Sequence, residues 1–359
     1  MNDAPNPDLA GRLRDAGLDP AEVTRIVAMA LAEDLAGGTD VTTESVIPAS
    51  AVARAQVVAR ADGVVAGLPV AEATFRLAAA GLAPGPGDGP RASGSGPSGR
   101  GGRTPGGETG PRQQGSGPPG REGDPLTTGD YPLTIRAHTC DGRRVRRGDV
   151  LMTVSGALTP MLRAERTALN LLCHLSGIAT VTRHWVDAVG GTGARIRDTR
   201  KTLPGLRSLQ KYAVRCGGGV NHRMSLSDAA LVKDNHVAAA GSVAAAFAAV
   251  RAHAGDIPVE VECDTLEQVS EAVRAGAGLI LLDNFGIGEM AEAVRVVAGR
   301  ARLEASGGLS LDSARDVAMT GVDYLAVGAL THSAPALDIG LDLAPVSAPS
   351  PGGALPASR

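Results

Sequence analysis

The chain has 359 residues, 43% of them apolar, enough for a sizeable core, but only 2% aromatic, so that core must be built from Ala, Val and Leu, and base-stacking platforms for nucleic acid are argued against. Its 35 basic and 38 acidic side chains leave a formal charge of −3, so no global field draws polyanions and any anion specificity has to be local. The four cysteines stand far apart without C-x-x-C spacing, which argues against a zinc site or a disulfide framework and suits a reducing cytosol; no basic-then-apolar leader and no apolar run of roughly eighteen residues points to export or membrane insertion.

In chain order, residues 20–35 put Val23, Ile26, Val27, Ala30 and Leu31 on one stripe and predict a helix. Residues 51–60, 133–137 and 150–154 predict strands, and together these segments give a small N-terminal domain over residues 1–160. Between them, residues 84–125 contain no Val, Ile, Leu, Met, Phe, Trp, Tyr or Cys, and 24 of the 42 positions are Gly or Pro, too little apolar surface to offset chain entropy. A disordered surface insertion is expected there, since each doubling of a loop's length costs only about 0.6 kcal/mol. Its five Arg are balanced by four acids, which leaves a nucleic-acid arm as the minority reading.

Residues 161–175 predict an apolar helix that Ser176-Gly177 breaks before a second helix over 178–189, opening a second domain over residues 161–333. Strands at 194–198, 229–233, 259–262, 279–283, 302–304 and 324–327 then alternate with helices that include 242–254, 266–275, 290–298 and 311–320. Such alternation implies parallel pairing through right-handed crossovers, hence an α/β barrel or an open parallel sheet. Residues 344–359, rich in Pro, Ala and Ser, are expected to form a disordered tail.

Polar residues recur where each predicted strand gives way to its loop: Arg200-Lys201, Lys233-Asp234, Glu262, Asp283-Asn284, Ser306-Gly307-Gly308 and Gly328. Any one of them reads equally well as a solvated loop, but in an α/β barrel these strand ends converge on one face, where such folds do their chemistry. The run Val259-Glu260-Val261-Glu262 alternates, so both glutamates face away from the two valines, and carboxylates in a barrel mouth need cations nearby. Arg200, Lys201, His222, Arg223 and Lys233 supply them from the preceding loops. Arg offers a fork matched to carboxylates and Lys a compact charge, so a site using both binds more than one anionic group. The glycine turns at Ser306-Gly307-Gly308 and Gly328 let backbone N–H groups approach phosphate oxygens, while Glu262 and Asp283 suit ribose hydroxyls or a Mg²⁺ held directly or through water. Cys216 and Cys263 adjoin the site without a His partner, which argues against thiol catalysis.

Long collinear stretches carry a resemblance: Glu33-Asp34-Leu35; Glu165-Arg166-Thr167-Ala168-Leu169-Asn170; Asp198-Thr199-Arg200-Lys201-Thr202 with Pro204-Gly205-Leu206-Arg207; Gly218-Gly219 with Asn221-His222-Arg223; and the strand ends above. In these the chain resembles the bacterial quinolinate phosphoribosyltransferases. The resemblance implies an N-terminal α/β sandwich, completed by a C-terminal segment at residues 334–343, and an incomplete seven-stranded α/β barrel. It further implies quinolinate and phosphoribosyl pyrophosphate as substrates, Mg²⁺ as cofactor, and a cytoplasmic homodimer. In that dimer Arg166 reaches the neighbouring subunit's active site. Arg200, His222, Arg223 and Lys233 would hold the two carboxylates of quinolinate; Thr199, Lys201, Glu262, Asp283, Ser306, Gly307, Gly308 and Gly328 would complete the binding site, with Lys201, Glu262 and Asp283 catalytic.

Two competing readings are a molybdenum-transport-associated paralogue of the same fold and a non-catalytic barrel scaffold. The paired Arg200 and His222-Arg223 favour a dicarboxylate, and a scaffold has no need of convergent charges such as Lys201, Glu262 and Asp283.

Overall fold

The computed structural model describes residues 8–81 and 132–344, so the expectations for residues 84–125 and for the tail beyond Ala344 fall outside the described residues. In chain order the strands are β1 (Val52–Ala59), β2 (Gly63–Val64), β3 (Leu133–Ala137), β4 (Arg144–Val145), β5 (Val150–Ala157), β6 (Arg195–Arg197), β7 (Ala230–Val232), β8 (Val259–Cys263), β9 (Leu279–Asp283), β10 (Arg302–Ser306), β11 (Tyr324–Ala326) and β12 (Ile339–Leu343).

The first sheet is antiparallel, in the order β12-β1-β5-β3. β12 lies along β1 with Leu343 opposite Ala55 and Ile339 opposite Ala59, so the chain returns to its first sheet after completing its second. The helix Pro20–Leu35 starts where Asp19 accepts from the Ala21 amide and Pro20 pre-sets the first turn; it buries the stripe Val23, Ile26, Val27 and Leu31. A further helix, Leu68–Ala79, is almost wholly buried, and its first amides are capped from a distance by Asp141, which accepts from Gly67 N at 2.7 Å and Leu68 N at 3.1 Å.

The break expected at Ser176-Gly177 is absent: one helix runs without interruption over Leu158–Ala188. Its small residues serve packing. Ser176 Oγ accepts from the Ala66 amide at 3.0 Å, and a Cβ on Gly177 would sit 2.1 Å from the Pro335 carbonyl oxygen, so the missing side chain lets the strap leading to β12 lie directly on the helix. No single helix among the described residues is long and apolar enough to cross a membrane.

The second sheet is parallel, in the order β6-β11-β10-β9-β8-β7. Beyond β6, Val220 makes an isolated parallel bridge to Arg197, which supplies a seventh, minimal strand position with no strand pattern of its own in the sequence. The strand expected to end at Glu304 continues to Ser306, and the helix expected at 311–320 is confined to Ala314–Met319. The sheet is strongly curled. His222, beyond the Val220 bridge, places Nε2 2.7 Å from Glu260 on β8 and 3.7 Å from Glu304 on β10, which are not neighbouring strands. Helices Val243–Ala254, capped by Ser242, and Leu266–Arg274, opened by a capping box between Thr265 and Gln268, pack with Ile287–Val297 along the outside.

Candidate active site

The C-terminal ends of the parallel strands surround a cavity of about 390 Å³, within the range of small-molecule sites. Thr199, Arg200 and Lys201 line it from the loop after β6, His222 and Arg223 from the segment after Val220, Lys233 from β7, Glu262 from β8, Asp283 from β9, and Glu304 and Ser306 from β10. A larger hollow of about 680 Å³ opens at the opposite ends of the same strands, but Phe247, Arg251, Pro258, Arg302 and Tyr324 line it without a single carboxylate. Size therefore does not locate the site; the convergence of opposite charges does.

A buried framework beneath the cavity holds these loops in place. Asp198 and Lys211 are both fully buried and pair at 2.5 Å; Asp198 also accepts from Asn221 Nδ2 at 2.5 Å and from the His222 amide at 2.8 Å, while Lys211 donates to the His222 carbonyl at 2.9 Å. Each buried charge thus has a partner and further hydrogen bonds, the condition under which such a pair is tolerated, and the result ties the 198–201 loop to the 221–223 segment. Arg207 braces the rim, donating to Thr202 Oγ1 at 3.1 Å and to the Met224 carbonyl at 3.0 Å.

The site itself is cationic on one side. Burial, and then the neighbouring Arg200 guanidinium, lower the Arg223 pKa, as expected where like charges are crowded to receive an anion. Opposite them Lys233 Nζ meets Glu262 Oε2 at 2.8 Å, and Asp283 accepts from Asn284 Nδ2 at 2.8 Å. Glu262 and Asp283 sit at the ends of adjacent strands, so two hard carboxylate donors face one space and fit a Mg²⁺ that keeps part of its water shell.

Two glycine positions fix the far wall. Gly307 has φ +85°, and a Cβ there would stand 2.1 Å from Asn284 Oδ1, so only glycine lets the loop after β10 close over the loop after β9. A Cβ on Gly328 would lie 3.0 Å from Lys201 Cδ, so its absence gives the lysine side chain its course along the rim. The helices after these turns, Ala314–Met319 and Ala329–His332, are too short to add much of a dipole, and any anion contact here rests on the loops.

The structure therefore brings together Thr199, Arg200, Lys201, His222, Arg223, Lys233, Glu262, Asp283 and Ser306, with Gly307 continuing the loop from Ser306, Gly308 following it, and Gly328 against Lys201. Arg166 is the exception: it is exposed on the Leu158–Ala188 helix and is not part of the lining of its own chain's cavity. Sequence reasoning assigned no part in the site to Glu304, Lys211 or Arg197, which pairs with Glu304 at 2.5 Å. The alternation that found Glu260 and Glu262 also runs through Arg302, Glu304 and Ser306 and marks Glu304 as inward-facing.

Comparison with known proteins decides the family. Residues 178–342 match the quinolinate phosphoribosyl transferase C-terminal domain and residues 131–176 the N-terminal domain. The nicotinate-nucleotide pyrophosphorylase [carboxylating] of Mycobacterium leprae is 47% identical over 334 residues, covering 92% of this chain and all of that protein. The chain belongs to the quinolinate phosphoribosyltransferase family. Among solved structures, NadC from Streptococcus pyogenes superposes with a TM-score of 0.74 at 34% identity, covering 91% of this chain and 99% of that one. The nicotinate-nucleotide pyrophosphorylase of Ehrlichia chaffeensis gives 0.72 at 32% identity, covering 89% and 98%. The parallel sheet and its charged rim are therefore those of a phosphoribosyltransferase family whose architecture this chain shares over nearly its whole described length.

Proposed function

We propose that this chain is a quinolinate phosphoribosyltransferase, transferring phosphoribosyl from its pyrophosphate to the nitrogen of quinolinate with loss of CO₂, to give nicotinate mononucleotide and pyrophosphate. The observation that carries the reading is one cavity in which Arg200, Lys201, Arg223 and Lys233 face Glu262 and Asp283. Two anionic reactants repel one another in water, and a cationic cradle of this kind removes that barrier while fixing their relative orientation.

Arg200, Arg223 and Lys233 hold the dicarboxylate, the arginines through their planar forks. Glu262 and Asp283 face the ribose, where carboxylates bind hydroxyls and stabilise positive charge developing at its first carbon. Lys201, running along Gly328, neutralises the departing pyrophosphate. Mg²⁺, when bound, supplies further charge neutralisation to the pyrophosphate, and Glu262 and Asp283 are the residues that would hold it. Once the ring nitrogen is bonded to ribose it is cationic, which stabilises the electron pair left on the adjacent carbon when CO₂ departs.

The active unit is a homodimer in which Arg166, exposed on its helix, completes the partner's cavity. The four free cysteines suit a reducing cytosol, and burial pushes the thiols of Cys216 and Cys263 up to about 12, far from a catalytic range.

The test is release of CO₂ and pyrophosphate from quinolinate plus phosphoribosyl pyrophosphate in the presence of Mg²⁺. Turnover of nicotinate with none of quinolinate would overturn the substrate assignment.

A further inference from the structure

The hollow at the N-terminal ends of the parallel strands has no part in the proposed chemistry. Val259, Leu279, Arg302 and Tyr324 line it from the starts of β8, β9, β10 and β11, and Phe247 and Arg251 close one side from the helix Val243–Ala254. At about 680 Å³ it is large enough for a small metabolite. Gly276 and Gly278 form part of its rim, and a Cβ on either would meet nothing within 4 Å, so that side stands open.

Three guanidinium groups share this space with no carboxylate in the lining. Arg302 Nη1 donates to Tyr324 Oη at 2.7 Å, and the Arg197 guanidinium carbon lies 4.9 Å from the centroid of the same ring, so one tyrosine sets two of them. Arg251 Nη1 donates to the Ile257 carbonyl at 3.4 Å. Each guanidinium carries five N–H donors, and among the described residues the Nη2 groups of Arg197, Arg251 and Arg302 have no protein acceptor. Their planar forks match carboxylates, while Phe247, Val259 and Leu279 offer an apolar wall that only a ligand with a hydrocarbon body would use.

Arg197 also reaches the front of the barrel. Its Nη1 pairs with Glu304 at 2.5 Å, and Glu304 lines the active-site cavity, so a single ion pair stands between the two spaces. Glu304 is fully buried, and its Oε1 receives no aligned hydrogen bond; the next cation, His222 Nε2, is 3.7 Å away. An anion behind Arg197 would draw on the charge that offsets Glu304, leaving more negative potential beneath a cavity built for anions.

We propose that the rear hollow binds a small organic polycarboxylate, which weakens anion binding in the active-site cavity through the shared Arg197–Glu304 pair. Binding in the hollow stands by itself; its inhibitory effect rests on the quinolinate reading.

Benzene-1,3,5-tricarboxylate serves as the probe, a flat hydrocarbon ring with three carboxylates for three guanidiniums. In equilibrium dialysis of the full chain, Arg251→Gln/Arg302→Gln should lose one bound probe molecule per chain. Inorganic phosphate at equal ionic strength should displace that molecule only at concentrations about tenfold higher. Probe binding unaltered in the double variant overturns the site, and phosphate binding as tightly as the probe overturns the ligand class. In assays of CO₂ release, the probe should raise the KM for quinolinate to a plateau of about fivefold, since two coupled sites saturate where one contested site does not. The double variant should match the parent without the probe and escape the inhibition. Glu304→Gln, whatever its own rate, should keep the probe and lose the inhibition, because a neutral amide does not depend on the charge of Arg197. Inhibition without a plateau, or persisting in either variant, overturns the coupling. A parent that releases no CO₂ from quinolinate, while the double variant still loses its probe molecule, counts against the functional reading and for the rear site.

Discussion

Lys233 and Glu262 show how a single pair serves two purposes at the mouth of the barrel. At 2.8 Å each holds the other in place, yet Lys233 keeps 45% of its side chain exposed and so can turn to an incoming carboxylate. Lys233→Met should therefore lower kcat/KM for quinolinate by about 10²-fold, chiefly through KM, because it removes a substrate cation and leaves Glu262 without its partner; steady-state kinetics at fixed phosphoribosyl pyrophosphate measures this. Glu304 behaves differently. Burial, and then the charge of Glu260, raise its carboxyl to about 7, so between pH 4.5 and 7 the folded chain keeps a proton that the unfolded chain releases. Stability from this group is complete below the unfolded value and declines as pH rises through the folded one. Glu304→Gln should flatten that slope, as read from chemical-denaturation midpoints at pH 5 and pH 8. At this scale the sequence was informative wherever alternation could be counted, as with Glu260 and Glu262. It was silent on Asp198 and Lys211 because a buried ion pair is recognisable only once burial itself is known.

Among the elements, the helix Leu158–Ala188 departs most from its sequence pattern. Ser176-Gly177 reads locally as a terminator, since both residues are poor helix formers, but the contacts of Ser176 with Ala66 and of Gly177 with Pro335 outweigh that preference. Alanine normally stabilises a helix relative to glycine, yet Gly177→Ala should destabilise this protein by about 1–3 kcal/mol, because the added methyl group meets the Pro335 carbonyl. A urea titration detects the reversal of sign. The bridge at Val220 was missed for a related reason. Three glycines precede it, and a strand reduced to a single bridged residue has no periodicity to read. The longer barrel strands were legible because each is a short apolar run bounded by turn residues.

For the whole molecule, the placement of Arg166 yields the clearest prediction. On the proposed dimer, Arg166→Ala and Lys233→Ala should each be nearly inactive alone when quinolinate is far below KM. Mixing them under conditions that exchange subunits should restore part of the activity, since some heterodimers then hold one intact site. No recovery, with exchange verified by mass, would rule out the shared site. The parallel barrel could be anticipated from the rhythm of strands and helices, whereas the sandwich could not, because its strands are scattered from residue 52 to residue 343 and no local signal pairs them.

That separation bears on how the chain is made. β1 emerges from the ribosome early, yet its outer edge stays open until Ile339–Leu343 has been synthesised almost three hundred residues later. In the interval an unpaired strand is presented to every other nascent chain nearby. The N-terminal half therefore cannot reach its finished form during translation, and truncations that stop short of Ile339 should accumulate in inclusion bodies even though the parallel barrel lies complete within them.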